Sequence, residues 1–242
     1  MSVARAPSGR PGGRHLLRSG GLAAALVADA GVGPGDLVVD VGAGSGMLTR
    51  ALAAAGARVL AVEPDRRLAR RLRRVAPEAS VVEADALEIS WPREPFRVVS
   101  NLPFAHAAAI CRSLLSDPYV PLVSADLIVE WGFAAKRARL WPSTAQTVVW
   151  GVWYELSVAR RLEPAAFVPA PSVAAGVLRA RRRARPLVAP ASAAAFERFV
   201  RRGFAASSHA RERDVHAWAR AFTPPSGAAR TVPRMTRHGR TT

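Results

Sequence analysis

The chain has 242 residues, half of them hydrophobic, and a formal net charge of +17, enough length for one substantial core and a small accessory unit. No uncharged apolar run approaches the roughly 18 residues that cross a bilayer, so an integral membrane protein is excluded and, with no secretory-type apolar stretch behind the N-terminal arginines, a cytoplasmic chain is expected. Cys111 is the only cysteine, which excludes an intramolecular disulfide or a cysteine metal cluster, and the five histidines are scattered without ligand-like pairing, so no metal site is expected.

Along the chain, residues 1–14 are rich in Gly, Pro, Ser and Arg and read as a flexible basic segment. Leu16 to Ala30 has helical spacing that stops at Gly31. Leu37 to Val41 is a short apolar run suited to a buried strand, followed by the glycine turn Gly42-Ala43-Gly44-Ser45-Gly46 and a helix from Leu48 to Ala55. Val59 to Val62 repeats the strand signal and ends at Glu63, and a basic helix from Arg66 to Val75 follows. Val81-Val82 leads to Asp85, and Phe96 to Ser100 leads to Asn101-Leu102-Pro103-Phe104. Alternation of this kind predicts an α/β fold with a mainly parallel sheet whose carboxyl edge is the ligand face. Leu127 to Val129, Val148 to Trp153 and Val173 to Leu178 are further strand candidates, and Ala134 to Leu140 is a helix candidate. After Arg179 the composition reads as a linker, followed by helices over Ser192 to Ala206 and around Val215 to Phe222 and a basic tail from Pro224. The domains expected are thus a flexible segment over 1–14, a main domain over 15–185, a small helical unit over 186–223 and a tail over 224–242.

The positive charge is concentrated. Residues 1–18 contribute +4, 66–74 contribute +6, 179–185 contribute +5 and 201–242 contribute +7, which leaves the remainder acidic. Solvated helix faces and a coding bias toward arginine, 34 residues against the one lysine Lys136, would give the same composition. Clustering favours a polyanion held through its phosphates. The candidate contacts are Arg66, Arg67, Arg70, Arg71, Arg73 and Arg74 in the first cluster and Arg179, Arg181, Arg182, Arg183 and Arg185 in the second.

The strand ends carry the candidate chemistry. Gly42, Gly44 and Gly46 let backbone approach a ligand at a helix amino terminus. Glu63, at the end of the next strand, is an acid placed to accept both ribose hydroxyl protons of a nucleoside. Asp85 either receives the exocyclic amine of an adenine or caps a turn. Asn101 and Leu102 offer an amide oxygen and a carbonyl to one planar amine, Pro103 holds the backbone rigid, and Phe104 can stack on the ring that bears the amine. Such acceptors favour a pyramidal nitrogen whose lone pair is free to attack an electrophilic methyl, without a strong base.

In this order VVDVGAGSGMLT, AVEPD, EADAL, SNLPF, IVEWGFAAKRA and AFVPAPSVAAGVL resemble the S-adenosylmethionine-dependent rRNA adenine N6-methyltransferases, most closely the actinobacterial Erm-type enzymes of 23S rRNA that confer macrolide, lincosamide and streptogramin B resistance. The resemblance covers about residues 12–185. It implies a Rossmann-like class I methyltransferase domain with S-adenosylmethionine as cofactor, 23S rRNA or a large-subunit precursor as partner, and a monomeric, antibiotic-resistance enzyme. It implies that Gly42 and its neighbours line the methionine part of the cofactor, Glu63 the ribose and Asp85 the adenine. Asn101 would also touch the cofactor and, with Leu102, Pro103 and Phe104, hold the target adenine, while Phe167 would stack on that base from its other side. The family's amino-terminal Gln-Asn-Phe-Leu motif stands here as Arg14-His15-Leu16-Leu17, which leaves His15 and Leu17 as cofactor contacts and departs at Arg14 and Leu16. The helical unit, which the resemblance makes RNA-binding, is short for that family.

Three other readings share some of these features. A small-subunit rRNA adenine dimethyltransferase has the same motifs, with Glu130-Trp131-Gly132-Phe133 favouring the large subunit. A non-catalytic RNA-binding assembly factor would not need intact Gly42, Glu63, Asp85 and Asn101. A small-molecule methyltransferase gives no reason for clustered arginine.

Overall fold

The computed structural model describes residues 15–224; the basic segments expected at 1–14 and beyond 224 lie outside the described residues. After a short strand β1 (Leu16–Leu17), helix α1 (Gly20–Ala30) starts where the Ser19 hydroxyl accepts from the Leu22 N–H and ends at Gly31 in a left-handed conformation. The expected helix from Leu16 is therefore shorter, because its first residues pair instead with β8 (Phe167–Val168).

The central sheet has seven strands in the order β4-β3-β2-β5-β6-β9-β7. Strands β2 (Leu37–Val41), β3 (Arg58–Val62), β4 (Ser80–Val82), β5 (Phe96–Asn101) and β6 (Leu122–Glu130) are mutually parallel. β9 (Ala175–Arg182) is inserted antiparallel between β6 and the edge strand β7 (Tyr154–Leu162). Helices α2 (Met47–Ala54), α3 (Arg66–Val75) and α4 (Ala107–Leu115) make the crossovers, and α5 (Trp131–Arg137) and α6 (Ala145–Gly151) follow β6. Strand side chains alternate between faces. Val38, Val59, Val99, Ile128 and Val177 bury against α1 and α2, whereas Val39, Val41, Val98, Leu127 and Leu178 bury against α4, α6 and two C-terminal helices. This is the expected α/β architecture with a mainly parallel sheet, and helices cover both of its faces.

Those last helices are α7 (Ala193–Ala206) and α8 (Val215–Ala221). Phe196, Val200 and Trp218 belong to the same core cluster as Trp150 and Trp153 of the main body, so residues 186–223 share its core. A Cβ at Gly203 would stand 2.4 Å from the Trp218 indole, which leaves room there for glycine alone.

Two assignments change. Val148 to Trp153 is largely α6, started by the Thr144 hydroxyl accepting from the Thr147 N–H; its run of apolar residues is buried on all sides, where strand and helix read alike. Residues 179–185 are mostly strand, not linker, because β9 extends through Arg182 between two partners. Helix α4 and strand β7 had no sequence assignment.

Candidate active site

The carboxyl ends of β2, β3, β4 and β5 share one edge, and the strand order reverses between β2 and β5, the point at which open α/β sheets form a crevice. A narrow cleft, partly open to solvent, lies there and is lined by His15, Leu16, Gly42, Gly44, Glu63, Pro64 and Asn101 to Phe104.

Its floor is the turn after β2. Gly44 has φ of 56°, which favours glycine, and a Cβ on it would meet Leu16 Cδ2 at 2.9 Å. The turn is fixed from β3: Glu63, 1 % exposed, accepts from the Gly44 N–H through Oε2 and from the Asp65 N–H through Oε1, both at 2.9 Å. Beneath it, buried Asp40 of β2 accepts from the Thr49 hydroxyl at 2.7 Å through Oδ2, while its Oδ1 has no partner among the described residues. Burial, opposed by the Thr49 hydrogen bond and reinforced by the charge of Glu63, pushes the Asp40 carboxyl up to about 7.

The wall is the end of β5. Ser100 Oγ accepts from the Val41 N–H at 2.8 Å and ties β5 to β2. Asn101 Nδ2 donates to the His15 carbonyl at 2.6 Å, which fixes which end of the amide is which. Asn101 Oδ1 is then left buried with no hydrogen-bond partner. A buried acceptor without a partner costs about 1–3 kcal/mol, so this position suits a donor from a ligand. The Phe104 ring, half-buried, lies 5.5 Å from the His15 ring.

Of the sequence candidates, His15, Gly42, Gly44, Glu63, Asn101, Leu102, Pro103 and Phe104 come together in this cleft. Gly46 lies under it, where a Cβ would meet Leu72. Leu17 is buried in the core and pairs with Phe167. Phe167 itself is completely buried in that core. Stacking of Phe167 on a bound base is therefore corrected to a packing role: its ring is held under the β1–β8 ribbon. Asp85 is exposed and accepts from the Leu87 N–H at 2.9 Å, the turn-capping alternative. Leu16 and Pro64 line the cleft without having been singled out, and Asp40 was passed over as part of a strand. An acid inside VVDVG was its signal.

The two arginine clusters differ. Arg66, Arg67, Arg70, Arg71, Arg73 and Arg74 are all exposed on α3. By contrast, Arg179 Nε pairs with buried Asp126 at 2.6 Å, and Arg181 donates to the Ala30 carbonyl. Arg182 donates to the carbonyls of Pro118, Val120 and Leu122, and Arg183 to Gly151 O and Glu155. The expectation that these four are RNA contacts is corrected to internal bonding; Arg185 alone of that run is exposed. Among the described residues no group of three His, Cys, Asp or Glu could hold a metal ion, and no helix is long and apolar enough to cross a membrane.

Comparison with known proteins matches residues 12–212 to the family model for ribosomal RNA adenine dimethylase. The mycinamicin-resistance protein MyrB of Micromonospora griseorubida is 36% identical over 193 residues, 76% of this chain and 61% of that protein. An rRNA adenine N-6-methyltransferase of Corynebacterium diphtheriae is 34% identical over 70% of this chain and 67% of that protein. The chain spans 54 to 67% of the length of these and a third such relative, from Aeromicrobium erythreum. The structure of the 23S rRNA methyltransferase ErmE superimposes with a TM-score of 0.71 at 31% identity, covering 80% of both chains, so the class I methyltransferase fold is established. With the matched model spanning most of its length, the chain belongs to the ribosomal RNA adenine dimethylase family.

Proposed function

We propose that this chain transfers a methyl group from S-adenosylmethionine to N6 of an adenine in 23S rRNA, as free RNA or a large-subunit precursor, and thereby confers macrolide, lincosamide and streptogramin B resistance. The names of MyrB and of the rRNA adenine N-6-methyltransferases among its relatives support this. The observation that carries it is the buried, unpartnered Asn101 Oδ1 at the cleft. The residues present fit the cofactor in kind: Gly42 and Gly44 carry no side chains of their own, although Leu16 Cδ2 and Pro103 Cδ stand over them and would have to move aside for a ligand, and Glu63, which already fixes the turn, stands beyond the neighbouring strand as a further acceptor for ribose hydroxyls. When bound, S-adenosylmethionine supplies an electrophilic sulfonium methyl.

In this reading Asn101 Oδ1 and the Leu102 carbonyl accept the two N–H groups of the target amine and hold its lone pair toward the cofactor side. Phe104 stacks on the purine. Asp85, whose Oδ1 caps its own turn, would receive the cofactor adenine through its other oxygen, and His15 positions Asn101. The rate advantage comes from orientation. Extruding the adenine costs a few kcal/mol and least in an unpaired loop. The exposed α3 arginines attract the phosphates, with shape deciding the site, and the helical unit over 186–223 adds RNA contacts. We place the enzyme in the cytoplasm, as a monomer, with its ribosomal substrate.

The test is incubation with labelled cofactor and separate large and small rRNAs, followed by primer extension. Label in the large rRNA with a stop at one adenine is expected. Label in the small rRNA alone would overturn the assignment of target. Asn101→Ala should lower kcat by about 100-fold or more while RNA binding persists, and unchanged turnover would remove the proposed amine site.

A further inference from the structure

The loop joining α5 to α6 exposes side chains that the fold does not use. Leu140 is 70% and Trp141 55% exposed, and Trp141 is the one exposed tryptophan among the described residues. The loop is anchored at its base: Arg137 donates to the hydroxyls of Thr144 at 2.9 Å and Thr147 at 3.3 Å, and its guanidinium lies over the Phe133 ring at 4.7 Å. A tethered base and an apolar tip present an indole to solvent in a defined place.

The charge around the tip selects the occupant. From Trp131 to Tyr154 the sequence has no Asp or Glu, and it carries Lys136, Arg137 and Arg139, of which Lys136 and Arg139 are exposed. An aromatic face flanked by cations suits an unpaired nucleotide, with the base stacked on the ring and its phosphates near the arginine. The position suits it too. β6 ends at Glu130 on the same edge as the cleft, with Asn101 in register with Ile128. α5 has seven residues, so the loop begins no more than about 10 Å from that edge.

We propose that Trp141 stacks on an unpaired base of the RNA substrate a few nucleotides from the adenine held at Asn101, with Arg139 on the adjoining phosphate. The inference rests on the proposed RNA substrate but not on methyl transfer. A folded protein partner or a second copy of the chain would want the same apolar tip without the cations, and these are alternative outcomes of the test.

The test uses the full-length protein and a fluorescein-labelled, unstructured oligoribonucleotide of about 12 nucleotides, titrated without cofactor. Trp141→Ala should weaken binding about tenfold, Trp141→Phe should recover most of the loss, and neither should change the slope of affinity against salt, since neither alters charge. Arg139→Ala should lower that slope by about 0.7. Thermal melting of the variants separates a folding defect from a contact, because the side chain is mostly solvent-exposed. Wild-type affinity in Trp141→Ala overturns the proposal, and a changed sedimentation coefficient in that variant would assign the tip to self-association instead. If the wild type binds RNA through Trp141 but labels no rRNA, the methyltransferase reading fails and this one stands. Label transfer with an indifferent Trp141 gives the reverse.

Discussion

Residues 66–74 and 179–185 have nearly the same composition and opposite fates. In α3 the apolar positions Ala69 and Leu72 are buried with helical spacing, and the six arginines around them are exposed to water. In β9, Arg179, Arg181 and Arg182 lie on both faces of a strand that has partners on both sides, so Arg179 and Arg182 run over backbone and acids of neighbouring elements and are consumed by them. Net charge therefore overstates the surface available to the proposed RNA substrate. What separates the two runs is the period of the apolar residues among which the cations sit.

The comparison breaks most sharply at Arg179. Asp126 is 3% exposed, and burial pushes its carboxyl up while the Arg179 guanidinium pulls it down. Arg179→Ala leaves that acid without its 2.6 Å partner and should cost about 3–5 kcal/mol, read from urea denaturation at neutral pH. A loss below about 0.5 kcal/mol, the usual surface value, would return β9 to the RNA-binding class.

Asp40 sharpens the same rule by lacking a cation. Its carboxyl is raised to about 7 in the folded chain against an ordinary value near 3.8, so the folded state holds a proton that the unfolded state has released between those values. The contribution to stability is present below about pH 4 and is lost as pH rises through about 7, by at most about 4 kcal/mol. Asp40→Asn keeps an acceptor for Thr49 and carries no charge. The fall in its unfolding free energy between pH 5 and pH 8 should be smaller than the wild type's by a few kcal/mol; parallel profiles would mean that Asp40 titrates as an ordinary acid.

On α3 the expected loss is in binding and not in folding. Alanine at Arg66, Arg67, Arg70 and Arg71 keeps helix propensity and should leave stability within about 0.5 kcal/mol. RNA affinity should fall about 100-fold at physiological salt, with the salt slope reduced by about three. Equal slopes in variant and parent would detach α3 from the RNA.

These contrasts show where the sequence was legible. Local signals located the site: a glycine turn after an apolar run, acids and Asn-Leu-Pro-Phe at strand ends, and Arg66 to Val75 as a helix with the bounds found in the structure. Partners remote in sequence could not be read. Asn101 is oriented by a carbonyl 86 residues away, Arg179 by an acid 53 residues away, and Phe167 is buried because β8 pairs with β1. The apolar stretch at Val148 to Trp153 lacked periodicity altogether, since α6 is buried between the sheet and α7 and α8.

Arg185 is the residue on which the two classes meet. It follows the internally bonded Arg183 by two positions, lies beyond the end of β9, is exposed, and has no partner among the described residues. If position on the strand decides the fate of each arginine, Arg185 belongs functionally with α3 although it belongs to the other run in sequence. Arg185→Ala should leave stability within about 0.5 kcal/mol and lower the RNA salt slope by less than one, with affinity reduced by less than about tenfold. Arg183→Ala, two residues earlier, should do the opposite, because it strips a donor from the Gly151 carbonyl and from Glu155. Measuring both variants for unfolding and for RNA binding at several salt concentrations places the boundary between internal and ligand-facing cations just beyond the end of β9, within three residues, and the same loss in both would show that no such boundary lies between Arg183 and Arg185.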